Sequence, residues 1–202
     1  MSSVQVLEIL FGSKPRARLM RFFILNNSQE YSLAEISEKT LLRSNEIRKE
    51  LNAFRKAEFV KEKTRKRKKY YHTNLNFPFY QELERLVIKS DIFPQCSSLS
   101  GAKKIGDVKL ILTTGVFMNY AKGKLDLLLV VDNISRAKLK TLINHLEAEV
   151  GKEIRYMVLT GEELQYRLNM LDRFLISIFK EPHEIVLSKV PKINKIVSVL
   201  KK

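Results

Sequence analysis

The stretch "YSLAEISEKTLLRSNEIRKELNAFRKAEFVKEKTRKRKKYYHTN", residues 31–74, constrains this chain most, because its apolar period changes within it. Its first part repeats at helical spacing and its last part alternates as a strand does. Ser32 and Glu35 stand three apart, the spacing of a capping box in which each side chain satisfies the other's free backbone N–H. The helix they open places Leu33, Ile36, Thr40 and Leu41 on one face and ends near Leu42. Ser44 is placed to cap the next helix, whose apolar stripe is Ile47, Leu51 and Phe54. Beyond it, strands are expected over residues 59–63 and 69–73, with the polar turn at 64–68 between them.

The polar face of that last helix carries Asn45, Arg48, Lys49, Asn52, Arg55 and Lys56, with almost no acid. Cations there can neutralise phosphates, and Arg and Asn have the geometry for bidentate contacts with guanine and adenine. The run from Lys63 to Lys69 holds six cations in seven residues, and Arg65, Lys66, Arg67, Lys68 and Lys69 would reach backbone phosphates or a minor groove. His72 reads as a strand residue, since no partner stands at metal-ligand spacing. Upstream, residues 14–26 form a helix with Pro15 in its first turn and Leu19, Met20, Phe22, Phe23 and Ile24 on a broad apolar face.

Two helices joined by a tight turn, the second one basic and followed by a hairpin, resemble the winged helix-turn-helix domain of bacterial and archaeal transcriptional regulators. The resemblance spans about residues 4–75 and rests on "LFGSKPRARLMRFFILN", the two-helix segment and the hairpin. It implies that the third helix reads duplex DNA and that the hairpin is a wing. The expected DNA-binding set is Ser44, Asn45, Arg48, Lys49, Asn52, Arg55, Arg65, Lys66, Arg67, Lys68 and Lys69.

Charge favours a polyanionic partner or an acidic membrane surface. The chain has 37 Lys and Arg against 22 Asp and Glu, a net charge of +15, and residues 1–90 alone hold 19 against 10. Its one cysteine, Cys96, excludes an intrachain disulfide and fits a reducing compartment. No signal-peptide pattern or long apolar run is present, so a cytoplasmic, nucleoid-associated protein without a membrane partner is expected.

A further amphipathic helix is expected over residues 79–90, with Leu83, Leu86 and Val87 on one face. "DIFPQCSSLSG" then breaks the pattern. The remaining signals alternate: strands over 108–112 and 125–131, a helix over 135–150 with Leu139, Leu142, Ile143 and Leu146 inward, and a strand over 153–159 with Ile154, Tyr156 and Val158 alternating. Thr160 and Glu163 form a second capping box, opening a helix with Leu164, Leu168, Leu171 and Leu175 on one face, and a short strand over 185–187 follows.

The order "LILTTGVFMNYAKGKLDLLLVVD" then "EIRYMVLTGEELQYRL" resembles the minimal nucleotidyltransferase fold. In active members of that family a Gly-Ser turn cradles the triphosphate, and an Asp-x-Asp pair with a third carboxylate holds two Mg²⁺ ions for in-line phosphoryl transfer. Here the turn keeps Gly115 but has Val116 for the serine. Asp126 stands at the first carboxylate, Leu128 at the second, and no acid follows at residues 155–158. The resemblance implies the fold, and the departures argue against the activity, leaving Gly115 and Asp126 as a vestigial motif with Asp126 a structural cap or hydrogen-bond acceptor.

The sequence therefore predicts an α+β chain: a winged helix-turn-helix DNA-binding domain (1–76), a connecting helix and linker (77–102), a small α/β nucleotidyltransferase-like domain (103–190) and a basic tail (191–202). The expected function is a transcriptional regulator bound to double-stranded DNA as a homodimer, using no cofactor and no metal, the second domain serving dimerisation or ligand sensing. The competing readings are a divergent nucleotidyltransferase enzyme and an RNA-binding basic protein.

Overall fold

The structure, a computed structural model, describes residues 3–89, 97–118, 120, 122–191 and 193. Cys96 and the tail at 191–202, apart from residues 191 and 193, lie outside the described residues. The chain is a mixed α and β protein with two small sheets. It divides into two compact units, Met1–Gln95 with Asn144–Glu153, and Cys96–Ile143 with Ile154–Lys202.

The first unit runs α1 (Ser3–Leu10), α2 (Lys14–Leu25), β1 (Tyr31–Ser32), α3 (Leu33–Thr40), α4 (Ser44–Lys56), β2 (Val60–Arg65), β3 (Lys68–Thr73) and α5 (Tyr80–Lys89). Ser13 caps α2 by accepting from the Arg16 N–H, and Pro15 follows in the first turn, where its missing donor costs nothing. Leu19, Phe22, Phe23, Ile36, Ile47 and Leu51 are buried together, so the stripes expected from spacing do meet in one core. The Ser32–Glu35 capping box is present, with the Glu35 carboxylate accepting from the Ser32 N–H at 2.7 Å.

Local geometry corrects the sequence reading in four places here. α1 and β1 are additional elements, and β1 makes the sheet three-stranded by pairing Tyr31 with Tyr71 and Ser32 with Tyr70. Leu41 does not extend the α3 stripe. It ends that helix in the left-handed region at φ +54°, which turns it to solvent and delivers Leu42 to the core instead. Ser44 does not cap α4 but is its first residue; Arg43 holds the cap position, and the Glu46 carboxylate accepts the Arg43 N–H at 2.9 Å. The hairpin is also longer than expected. Its register runs from Val60 opposite Thr73 to Arg65 opposite Lys68, so the turn is Lys66-Arg67 alone, both at positive φ. That is the geometry of a type I′ hairpin, whose twist matches that of its strands.

In the second unit the sheet order is β6-β5-β4-β7, from β4 (Asp107–Thr113), β5 (Leu127–Asp132), β6 (Tyr156–Leu159) and β7 (Glu184–Ser188). β4 is antiparallel to β5 and β7, and β5 is parallel to β6. A parallel pair needs a crossover, which α6 (Arg136–Val150) supplies. β5 is apolar from Leu127 to Val131 because it lies inside the sheet with both faces covered. Asp107 and Asp132 stand opposite each other, and Lys189 and Lys109 respectively ion-pair with them, which removes the like-charge penalty.

Two expectations fail in this unit. β6 is shorter than its alternation suggested: Ile154 is buried but precedes the strand, Tyr156 is exposed, Met157 and Val158 are each half-buried, and Leu159 is buried. The helix after the Thr160–Glu163 capping box is two helices, α7 (Gly161–Asn169) and α8 (Arg173–Lys180). Leu171 lies between them at φ +51° and is exposed, and Asp172 caps α8 by accepting the Leu175 N–H at 3.0 Å.

Candidate nucleic-acid interface

α4 is positioned by its apolar stripe, and burying Ile47, Leu51 and Phe54 leaves the opposite face to solvent. Asn45, Arg48, Lys49, Asn52, Arg55 and Lys56 are all exposed on it. Glu50 shares the helix without opposing these cations: it is buried, accepting from Arg16 Nε at 2.8 Å and Ser13 Oγ at 3.1 Å. Between α4, the start of α3 and the hairpin lies an open cleft of about 550 Å³. Arg48, Asn52 and Arg55 line one wall, Lys68, Lys69 and Tyr71 the other.

The expected cations fall into two groups. Arg55 and Lys69 converge on Glu62, at 3.0 and 2.9 Å, and Arg65 pairs with Glu30 at 3.1 Å. Among the described residues Arg48, Lys49, Lys66, Arg67 and Lys68 make no ion pair. Ser44 and Asn45 stand at the exposed start of α4, where Asn45 Oδ1 accepts from the Glu46 N–H at 2.9 Å. Glu30 and Glu62 did not figure in the sequence reading. The signal for Glu62 was its place two residues after Val60 on the inward side of an alternating strand. His72 is half-buried in β3 with Nδ1 3.2 Å from the Thr73 carbonyl.

The second constellation is at the end of the β4–β5 pair. Asp126 is 1% exposed and accepts four hydrogen bonds: from the Val116 N–H at 2.8 Å, the Arg155 N–H at 2.9 Å, Arg155 Nε at 2.9 Å and Arg155 Nη2 at 2.8 Å. Arg155 Nη1 donates in addition to the Gly123 carbonyl. Burial pushes the Asp126 carboxyl up, but the bonds from Arg155 and Val116 outweigh it and hold its pKa below the ordinary aspartate value. Gly115 and Asp126 are brought together as the sequence paired them. Gly115 has φ +52°, and a Cβ there would collide with Asp126 Oδ1 and the Leu125 carbonyl. Leu128 is fully buried in the core with Leu112 and Val130.

Among the described residues no group of three His, Cys, Asp or Glu side chains is arranged to hold a metal ion, and no helix is long and apolar enough to cross a membrane. No protein family, no curated protein and no solved structure matches the chain.

Proposed function

We propose that this protein is a transcriptional regulator that binds duplex DNA through its first unit, read as a winged helix-turn-helix. In this reading α4 enters the major groove as the recognition helix, and the β2–β3 hairpin is the wing on the backbone. The observation that carries it is the division of the basic surface. Arg48 and Asn52 line a cleft on a rigid helix, while Lys66 and Arg67, exposed and without an ion pair among the described residues, stand at the hairpin tip. The first pair has the chemistry for base edges and the second for phosphates.

The second unit is read as a nucleotidyltransferase-like fold that carries out no nucleotidyl transfer. In support, the Asp126 lone pairs are engaged by Arg155 and Val116, and the guanidinium supplies the positive charge that a metal would. The Val116 N–H in the glycine turn is likewise occupied by Asp126 rather than left for a phosphate. That leaves dimerisation or sensing as its role. A homodimer is expected, since a two-fold axis doubles the few base contacts of one recognition helix.

The test is selection of bound duplexes from a random DNA library, with duplex RNA offered in parallel at the same salt. Recovery of a discrete DNA site supports the reading. Preferential capture of RNA replaces it with an RNA-binding role, and transfer from labelled nucleoside triphosphates that is lost in Asp126→Ala replaces the inactive second unit with an enzyme.

A further inference from the structure

We infer that Glu62 sets the sequence selectivity of the proposed interface by keeping phosphate off the floor of its cleft. The inference rests on the DNA-binding reading above and concerns how that surface divides its cations between bases and backbone.

Glu62 lies in β2 opposite Tyr71, on the same sheet face as Val60, and so points inward, toward α4 rather than solvent. Its side chain is 15% exposed. One oxygen meets Lys69 Nζ at 2.9 Å, from the hairpin wall of the cleft; the other meets Arg55 Nη1 at 3.0 Å, from the helix wall. The carboxylate thus bridges both walls and halves the positive charge of the Arg55–Lys69 pair. Oε2 is shielded from water, and its approach to Arg55 is an ion contact without hydrogen-bond alignment. A phosphodiester oxygen drawn to Arg55 or Lys69 would have to displace this carboxylate or lie beside it. Like charges at such separation repel, more strongly where water is thin.

The nearby cations without an acidic partner among the described residues are Lys66 and Arg67 at the hairpin tip, Lys49 on α4, and Arg48 and Lys68, which line the cleft walls to either side of the Glu62 bridge. Phosphate is therefore drawn to the hairpin tip rather than to Arg55 and Lys69, and the part of the cleft that Glu62 bridges is left to base edges, which carry no net charge. Glu62 acts here as a positioning residue: it holds the Arg55 guanidinium and penalises the backbone-only binding that every duplex offers equally.

The experiment compares full-length wild type, Glu62→Gln, Glu62→Asp and Lys69→Gln on a selected site and on a random duplex, across a salt series. Glu62→Gln keeps shape and removes charge. It is expected to bind random duplex more tightly, to steepen the salt slope by about 0.9 for each freed cation that engages a phosphate, and to narrow the preference for the selected site. Glu62→Asp keeps the charge and is expected to keep the wild-type slope. Lys69→Gln removes a cation that the Glu62 bridge keeps from phosphate, so its slope on random duplex should equal that of wild type, and this arm decides if Glu62→Gln folds poorly. Weaker binding to both duplexes by a folded Glu62→Gln, an unchanged slope in it, or a Lys69→Gln slope about 0.9 shallower would each overturn the inference. If wild type itself binds no duplex, the DNA-binding reading has failed, and that is seen before any variant is compared.

Discussion

Replacing Asp126 with asparagine should destabilise the second unit, and the hydrogen bonds around it set how much. Oδ1 accepts from the Val116 N–H and Arg155 Nη2; Oδ2 accepts from the Arg155 N–H and Arg155 Nε. Whichever oxygen becomes an amide, its NH₂ then faces one backbone donor and one guanidinium donor. Two bonds to a charged group are lost, each contributing about 1.5–3 kcal/mol. The Arg155 side chain is 51% exposed and regains water, so its share is discounted. The expected loss is about 2–4 kcal/mol, read as a lower urea midpoint by circular dichroism. Its pH dependence follows from the depressed carboxyl. The stabilisation is fully present above the unfolded pKa of about 3.9 and is lost as pH falls through the lower folded value. Wild type and Asp126→Asn should therefore converge in acid. A carboxylate kept for a metal would be a buried charge in the metal-free protein, and neutralising it would raise stability. A higher or unchanged midpoint in Asp126→Asn refutes the structural role.

Gly115→Ala should destabilise the same unit by more than the ~1 kcal/mol a left-handed alanine costs, because the methyl also meets Asp126 and Leu125, and urea unfolding checks it. Lys66→Asn with Arg67→Gly suits both positive-φ positions of the hairpin turn and should stabilise the first unit by about 1–2 kcal/mol, measured by its melting temperature. Arg48→Ala or Asn52→Ala should cost on the order of 1–3 kcal/mol on the selected DNA site and far less on random duplex, as read by competition binding. A uniform loss on both would place these residues on the backbone.

Local signals were legible and long-range ones were not. The Ser32–Glu35 and Thr160–Glu163 boxes, the Ile47–Leu51–Phe54 stripe and the apolar β5 each depend on neighbours in sequence, and each stands as read. β1 is two residues long and exists only because Tyr31 and Ser32 meet Tyr71 and Tyr70, so no periodicity could announce it. The hairpin turn was read too long because Lys66 and Arg67 are not the Asn-Gly type that marks a two-residue turn. Leu41 and Leu171 both continued an apolar spacing yet sit at positive φ, one closing α3 and the other between α7 and α8, a conformation leucine rarely takes. At the candidate interface, composition and face placed the cations on α4 and the hairpin, but which of them pair with acids depended on tertiary approach. Glu62 and Glu30 reach their partners across strands and from a preceding loop. Arg155 looked like a missing acid in sequence, whereas in the fold it is the partner that occupies Asp126.

The proposed division of labour, in which the hairpin tip and α4 bind duplex DNA by different chemistry, is open to a direct test. The measurement is the affinity of a random duplex, taken across a salt series for wild type and for Lys66→Asn with Arg67→Gly, a variant expected to be at least as stable. Wild type is expected to bind with a steep salt dependence. In the variant the slope should fall by about 0.9 for each phosphate contact removed, while preference for a selected site over a random one is retained. A variant that keeps wild-type affinity and slope, or a wild type that fails to bind duplex DNA even at low salt, would contradict it.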